Sequence, residues 1–216
     1  MEKYILTGGP GVGKTTILNE LGKAGEITLS EVAREIIVEE QKKENGILPW
    51  TDLVEFQKLT VQRQMHKEKG VGNGHNRIFQ DRSLADTIAY AEEGRVKVPD
   101  GLYEYIEQAG YTRVFYLEQL PFYNQDKERK EDRELAHKIH QKLYQVYDRL
   151  GFDIVTVPVC NSIKERVQFV LKEAHHEKNR EIERKYRAGH TQVKEVLERY
   201  AVKYTGTDNE ENTLYD

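Results

Sequence analysis

A glycine-rich segment at residues 7–16, TGGPGVGKTT, matches the spacing G-x-x-x-x-G-K-[ST] of a phosphate-binding P-loop. A short apolar run, KYILT at 3–7, leads into the segment, and a helical pattern containing Ile17, Leu18 and Leu21 follows it. The motif requires this context, a buried strand entering the loop and a helix leaving it. The segment therefore predicts a site for nucleotide phosphates rather than a chance turn.

The residue types in this loop suit a polyphosphate. Glycines let the backbone curl around a phosphate and turn its N–H groups inward. Lys14 supplies a positive charge for the β- and γ-phosphates, and the hydroxyl of Thr15 can ligate Mg²⁺. We therefore expect a nucleoside triphosphate and Mg²⁺ to bind here. The expected binding residues are Gly9, Pro10, Gly11, Val12, Gly13, Lys14, Thr15 and Thr16.

Beyond the loop, short apolar segments alternate with helical patterns. Further strands are predicted at 26–30, 77–81, 113–119 and 152–159. Helices are predicted after Ser30, which would cap its helix, from Thr51 to near Gly70, after Asp81, at 100–109, before Gly151 and from about Ser162. This alternation is typical of a parallel sheet covered on both faces. The predicted fold is α/β, a P-loop NTPase with a kinase-type five-stranded parallel sheet flanked by helices and a helical C-terminal extension.

Two pairs of charged residues follow predicted strands. Asp81 ends the third strand and is expected to hold Mg²⁺ or to take a proton from an acceptor, with Arg82 binding that acceptor. The alternative for Asp81 is a helix cap, and Asp86, one turn later, is expected at the surface or behind the site. Glu31 and Arg34 follow the second strand. Glu31 is a candidate general base and Arg34 a substrate anchor, whereas a purely structural Glu31 would favour the helix dipole.

Two later segments have candidate roles at the nucleotide. The charged stretch 126–133 contains Arg129, which would close over the phosphates if the stretch is a lid. Such charge runs also occur as solvated helix faces. Pro158 ends the fifth strand, where it would border the nucleotide base or simply terminate the strand. No N-K-x-D sequence occurs that would indicate guanine selectivity.

Composition excludes several classes of function. Of the 216 residues, 38% are hydrophobic and 32% are charged, and the net charge is −4. This balance does not suggest a nucleic-acid or anionic-membrane binder. The single cysteine, Cys160, cannot form an internal disulfide and is given no catalytic role. No window approaches the roughly 20 apolar residues of a membrane span. We therefore expect a cytoplasmic protein.

An ordered set of stretches also carries a family resemblance over roughly residues 3–171. The stretches are YILTGGPGVGKTT, SEVAREII, LPWTDLVEFQ, FQDRSLADTIAYAEE, VFYLEQLPFYNQDKER, and LGFDIVTVPV followed by ERVQFVL. The set resembles the small AAA-domain P-loop ATPases related to the ribosylnicotinamide-kinase half of the bacterial NAD-biosynthesis regulator, and more distantly thymidylate and deoxynucleoside kinases. The resemblance implies a P-loop kinase-type fold with an ATP site and Mg²⁺. It implies functional use of Lys14, Thr15, Glu31, Arg34, Asp81, Arg82, Asp126 and Arg129.

The C-terminal part has a different character. We expect a kinase-like or ATPase domain at 1–171 and a charged helical extension with a frayed end at 172–216. EIERK at 181–185 resembles the E-x-E-x-K signature of the CYTH triphosphate-tunnel enzymes, but too few residues follow to close such a barrel. A charged helix continuing from Ser162 is the favoured alternative. A later helical stripe would dock on the body, a protein partner or a second subunit.

These features favour an ATP- and Mg²⁺-dependent phosphotransferase acting on a small nucleoside- or nucleotide-like acceptor. A regulatory ATPase or nucleotide-sensing switch with a protein partner is the alternative. A polynucleotide kinase is disfavoured by the acidic charge, and a hexameric motor by the lack of a sequence segment long enough for a separate helical lid domain.

Overall fold

A computed structural model describes residues 1–72, 75–121 and 133–175. Within these ranges, five parallel strands form one sheet in the order β2-β3-β1-β4-β5. The strands are β1 (Glu2–Thr7), β2 (Ile27–Leu29), β3 (Arg77–Asp81), β4 (Arg113–Leu117) and β5 (Ile154–Val157). The helices are α1 (Lys14–Lys23), α2 (Val32–Glu40), α3 (Leu53–Lys69), α4 (Leu84–Glu93), α5 (Leu102–Gln108) and α6 (Arg133–Arg149). Residues 163–175 are also helical. The predicted α/β fold and its kinase-type sheet are confirmed.

The central strand β1 is covered on both faces. Its consecutive residues Tyr4, Ile5 and Leu6 are all fully buried, and successive side chains of a strand point to opposite faces. Parallel sheets are stable in this buried setting because helices pack on each side. Ile5 belongs to a core cluster with side chains of α4, α5 and α6, and α1 contacts β1, β2 and β3.

The strand register brings two distant segments to one edge of the sheet. Leu6 of β1 lies level with Asp81 of β3, and the two strands run in the same direction. Their carboxyl ends therefore open side by side, where ligands bind in open parallel sheets. The loop after β1 and the carboxylate at the end of β3 become neighbours for this reason.

Two predicted helix starts are wrong in detail. Glu31, not Ser30, is the N-cap residue of α2, because the Ser30 hydroxyl donates instead to Glu35. Lys67 from α3 also donates to Ser30, so a tertiary contact draws this side chain away from the helix start. α3 begins at Leu53 behind an Asp52 cap rather than at Thr51.

Several predictions concern residues that the structure does not describe. The predicted lid residues Asp126 and Arg129 lie in the gap between the second and third described ranges. The EIERK stretch and the later helical stripe also lie outside the described residues, so the division at residue 171 stays a prediction. The strands β1–β5 and the helices α1–α6 belong to the compact unit Met1–Leu171. In the described ranges, none of the helices combines the length and apolarity needed to cross a membrane.

Candidate active site

The loop between β1 and α1 adopts the curled backbone that its glycines predict. Gly8 has a φ of 133° and Gly13 a φ of 91°, a region that side chains disfavour. A Cβ at Gly8 would lie 2.9 Å from the carbonyl oxygen of Leu117, so a side chain at this position would force the backbone of β4 to shift. α1 begins at Lys14, so the positive end of its dipole lies at the loop and favours an anion there.

Lys14 is held inside this loop. Its side chain is 6% exposed, and Nζ donates to the carbonyl oxygens of Gly8 and Gly9 over 2.9 and 3.0 Å. Burial, followed by the positive charge of Arg82, lowers the pKa of Lys14 to about 8. An incoming phosphate would give this ammonium group a charged partner, which neither carbonyl supplies.

Asp81 lies beside the loop, as expected for a metal-binding carboxylate. The hydroxyl of Thr15 donates to Asp81 Oδ2 over 2.9 Å. Asp81 Oδ1 is buried and has no hydrogen-bond partner among the described residues. Burial and the negative charge of Glu31 raise the pKa of Asp81 to about 6. A hydroxyl and an unpartnered carboxylate oxygen are the hard donors that Mg²⁺ prefers, so these two residues fit that ion.

The helix after β3 is capped without Asp81. Ser83 is the N-cap residue of α4, and its side chain forms a capping box with Asp86. The alternative interpretation of Asp81 as a helix cap is therefore wrong. The carboxylate is instead available on the P-loop side of the strand end.

Glu31 and Arg82 form an ion pair next to Asp81. Arg82 Nε donates to Glu31 Oε1 over 2.8 Å, and Arg34 Nε lies 3.9 Å from Glu31 Oε2. Burial acts to raise the pKa of Glu31, but the positive charges of Arg82, Lys14 and Arg34 outweigh it and hold the pKa below its usual value. Glu31 is thus an ionised carboxylate among cations, and the structure brings Glu31, Arg34 and Arg82 of the predicted acceptor site together, next to Asp81.

Asp86 lies behind the site, which is one of the two positions expected for it, and not at the surface. Its side chain is buried and accepts hydrogen bonds from Thr7 over 2.8 Å, from Arg82 Nη1 over 3.1 Å and from the Tyr147 hydroxyl. Arg82 itself has a φ of 69°, a left-handed conformation that is uncommon for a non-glycine residue. Asp86 and Glu31 together fix its guanidinium group in place.

One cavity, called the chamber below, is lined both by these groups and by many apolar residues. Its volume is about 670 Å³, within the range of small-molecule sites. The loop residues Pro10, Gly11, Gly13, Lys14, Thr15 and Thr16 line one part, next to Glu31, Arg34, Asp81 and Arg82. The remaining wall is largely apolar and includes Val32, Ile37, Trp50, Leu53, Phe56, Tyr90, Leu135 and Ile139. The chamber therefore extends well past the phosphate loop.

Gln57 is a lining residue that sequence reasoning missed. It is 3% exposed, and neither of its amide atoms has a hydrogen-bond partner among the described residues. By contrast, Gln64, seven residues later on the same helix, donates to Glu68. The available signal was a polar residue next to Phe56 on the buried side of α3. Buried amides are rarely left unpaired, which points to a ligand.

Two further residues hold the P-loop from outside the motif. Gly9 N–H donates to His140 Nδ1 over 3.0 Å, and Arg166 Nη1 donates to the carbonyl oxygen of Val12 over 2.8 Å. Both side chains are buried. Their partners lie 131 and 154 positions away, so no local pattern announces them.

A second cavity of about 300 Å³ lies against the loop residues Pro10, Gly11 and Val12. Its other lining residues are Gln119, Leu120, Arg133, Ala136 and His137. Pro158 lines neither cavity, so its contact with a nucleotide base stays a prediction. The half-buried Cys160 follows β5, as expected, and is a free thiol.

Known structures share the fold at low sequence identity. NadR protein in complex with NR superposes with a TM-score of 0.57 and 15% identity, over 82% of this chain and 50% of that one. Deoxyadenosine kinase from M. mycoides with bound dATP gives 0.53 and 15%, over 80% and 99%. Thymidylate kinase from Ehrlichia chaffeensis gives 0.52 and 16%, over 80% and 98%. The chain spans about half the length of the NadR chain it matches.

These likenesses identify a P-loop kinase-type fold, in agreement with the sheet order and the loop. No curated protein sequence matched the chain. A family model described as "AAA domain" matches residues 3–166, which is most of the chain and includes the P-loop, Asp81 and Arg166. The chain therefore belongs to this AAA-domain family.

Proposed function

We propose that this protein is a cytoplasmic phosphotransferase that moves the γ-phosphoryl group of ATP, with Mg²⁺, to a small nucleoside- or nucleotide-like acceptor. The observation that carries the proposal is that Lys14, Glu31 and a largely apolar set of side chains line the same cavity, which has a volume of about 670 Å³. Hydrolysis needs room only for water beside the γ-phosphate. A chamber that continues past Glu31 favours an organic acceptor instead.

The donor side uses the loop and its neighbours. Lys14 and the loop amides orient the β- and γ-phosphates. Thr15 would ligate Mg²⁺ through its hydroxyl, and Asp81 through water or its unpartnered oxygen. The ion would supply positive charge against the phosphate oxygens. Arg129 from the predicted lid would neutralise the transferring group, and Pro158 would border the base.

The acceptor side uses the cluster at the ends of β2 and β3. Glu31 takes the proton of the acceptor hydroxyl while the oxygen of that hydroxyl forms a bond to the γ-phosphorus. The bond between that phosphorus and the β–γ bridging oxygen breaks, and ADP leaves. Arg82 and Arg34, with Asp126 from the predicted lid, bind and orient the acceptor. Glu31 suits this role because surrounding cations keep it ionised.

The chamber wall supports an acceptor with a flat polar ring system. Phe56 and Tyr90 provide aromatic surface in the same cavity. The Gln57 amide offers an NH2 group as donor and a carbonyl oxygen as acceptor, and neither atom is engaged by the described residues. A heterocycle with adjacent hydrogen-bonding groups would satisfy both atoms at once.

A screen with γ-labelled ATP and Mg²⁺ tests the proposal. The acceptors are nucleosides, other ribosides and nucleoside monophosphates, and the expected result is a labelled product from one class. Lys14→Met should form no product. Failure to phosphorylate any acceptor, with hydrolysis stimulated by a protein partner, would instead support a regulatory ATPase. A protein partner or second copy bound through the C-terminal helix is a separate proposal, which light scattering of the full chain tests.

A further inference from the structure

The P-loop rests directly on helix α6 at one residue. Gly9 N–H donates to His140 Nδ1 over 3.0 Å, and His140 is 8% exposed. A Cβ at Gly9 would lie 2.8 Å from the Cβ of His140 and 2.9 Å from the carbonyl oxygen of Ala136. A glycine is thus required at position 9 because α6 packs so close to the loop. The buried hydrogen bond to His140 joins the loop to α6 at this point.

The imidazole is held in one place and in one protonation state. Its ring lies 4.5 Å from the ring of Tyr116 between centroids, and the Tyr116 hydroxyl donates to the carbonyl oxygen of His140 over 2.9 Å. Nδ1 accepts a hydrogen bond, so the proton of the neutral ring is on Nε2. Burial, followed by the positive charges of Lys14 and His137, lowers the pKa of His140 to about 4.

The residue that His140 holds is also a residue that Lys14 contacts. Lys14 Nζ donates to the Gly9 carbonyl oxygen over 3.0 Å, so the position of Gly9 helps to set the position of the ammonium group. Without an acceptor at Nδ1, the Gly9 N–H would be buried without a partner. Such a group is costly to leave unpaired, so the loop would shift to satisfy it.

We propose that His140 is a positioning residue for the P-loop, which fixes the Gly9 peptide and thereby the loop conformation that binds polyphosphate. The proposal rests on the nucleotide binding proposed above. It assigns a role in nucleotide affinity to a residue of α6 that lies outside the P-loop motif. His140 acts through Gly9 and need not touch the nucleotide.

Matched variants of the full chain test the proposal by titration calorimetry with MgADP. In His140→Asn, the amide oxygen falls where Nδ1 lies and can accept from Gly9. His140→Gln places its amide near the Nε2 position, and His140→Leu has no acceptor. We expect the Kd for MgADP to rise about tenfold or more for Leu and Gln, and to stay within about threefold for Asn.

A second measurement needs no nucleotide. Nitrogen-15 NMR of the imidazole should show the neutral tautomer with its proton on Nε2 near neutral pH. Wild-type affinity in a folded His140→Leu protein, equally weak binding by folded Asn and Leu variants, or a proton on Nδ1 would each overturn the proposal. If the Leu variant does not fold, the Asn–Gln comparison and the tautomer still decide. Absence of MgADP and MgATP binding in the wild type would refute the proposed function instead, while the tautomer measurement still tests the His140 bond.

Discussion

Thr15 and Asp81 are joined by a hydrogen bond of 2.9 Å between the first turn of α1 and the last residue of β3. The two residues are 66 positions apart, and the parallel register of β1 and β3 makes them neighbours. The bond engages one carboxylate oxygen of Asp81 and leaves the other buried without a partner among the described residues.

Removal of the Asp81 charge should uncouple nucleotide binding from Mg²⁺. In Asp81→Asn, the amide keeps an acceptor for Thr15 but provides no anionic ligand for the ion. We expect the gain in ADP affinity caused by Mg²⁺ to fall about tenfold or more, which is about 1.4 kcal/mol. Calorimetry with and without EDTA measures that gain. Asp100→Asn is the control because Asp100 is exposed and forms an ion pair with exposed Lys97, away from the P-loop motif. An unchanged gain in Asp81→Asn would refute the metal assignment.

Neutralising Glu31 should slow transfer more than it weakens nucleotide binding. Glu31→Gln keeps an oxygen that can accept from Arg82 but cannot take the acceptor proton. Loss of a general base typically costs about 10²–10⁴ in rate, so we expect a fall in kcat of that order with little change in the Kd for MgADP. Glu35→Gln on the same helix, which breaks a pair with Lys67, is the control. Equal kcat values for both variants would remove Glu31 from the mechanism.

We expect Gln57 to contribute to acceptor binding but to lower the stability of the folded protein. Gln57→Met has a similar shape and removes two buried polar atoms that lack partners among the described residues. We expect the free energy of unfolding to rise by about 1–2 kcal/mol, and the KM for the acceptor to rise as well. In contrast, Gln64→Met should destabilise the chain because Gln64 Nε2 donates to Glu68 over 2.9 Å. Chemical denaturation separates the two variants. If Gln57→Met is less stable than the wild type, the amide of Gln57 is hydrogen-bonded in the wild type without a ligand.

His140 should make stability depend on pH in the acidic range. Burial, then the charges of Lys14 from the P-loop and His137 from α6, lower the pKa of His140 to about 4, whereas the unfolded value is about 6.5. Between these values the unfolded chain binds more protons, so stability is present above pH 6.5 and is lost as the pH falls towards 4. The loss from this group is at most about 3 kcal/mol.

The comparison with His140→Asn isolates this contribution from the titrating carboxylates. The free energy of unfolding of the wild type relative to the variant should decline from pH 7 to pH 4 in urea titrations. If the difference in the free energy of unfolding between wild type and variant is constant over this range, His140 has the same pKa in the folded and the unfolded chain.

Much of the fold follows from local sequence. The P-loop spacing, the apolar run before it and the alternation of strands and helices predicted a parallel sheet with Asp81 next to the loop. Those features depend on backbone preferences and on the periodic burial of nearby residues. Cap residues were less predictable: Ser30 has the right chemistry for a cap, but Lys67 from another helix binds it instead.

The acceptor site was predicted only in part. Glu31, Arg34 and Arg82 follow strands, and strands of a parallel sheet end at one edge, so their proximity could be inferred. Gln57 could not be assigned in the same way, because an amide on a buried helix face is usually satisfied by the protein. Only the packing of α3 beside the cleft shows that this amide is unpaired among the described residues.

By itself, the sequence determined the phosphate loop and the order of elements that surround it, because both are specified by residues close together in the chain. The tertiary structure alone showed what holds that loop. Gly9 binds His140, 131 positions away, and Val12 binds Arg166, 154 positions away. A hydrogen bond forms only when the distance between donor and acceptor lies within a range of a few tenths of an ångström. Such distances are fixed by how α6 and the helical residues 163–171 pack within the unit Met1–Leu171, which the spacing of residues along the chain does not encode.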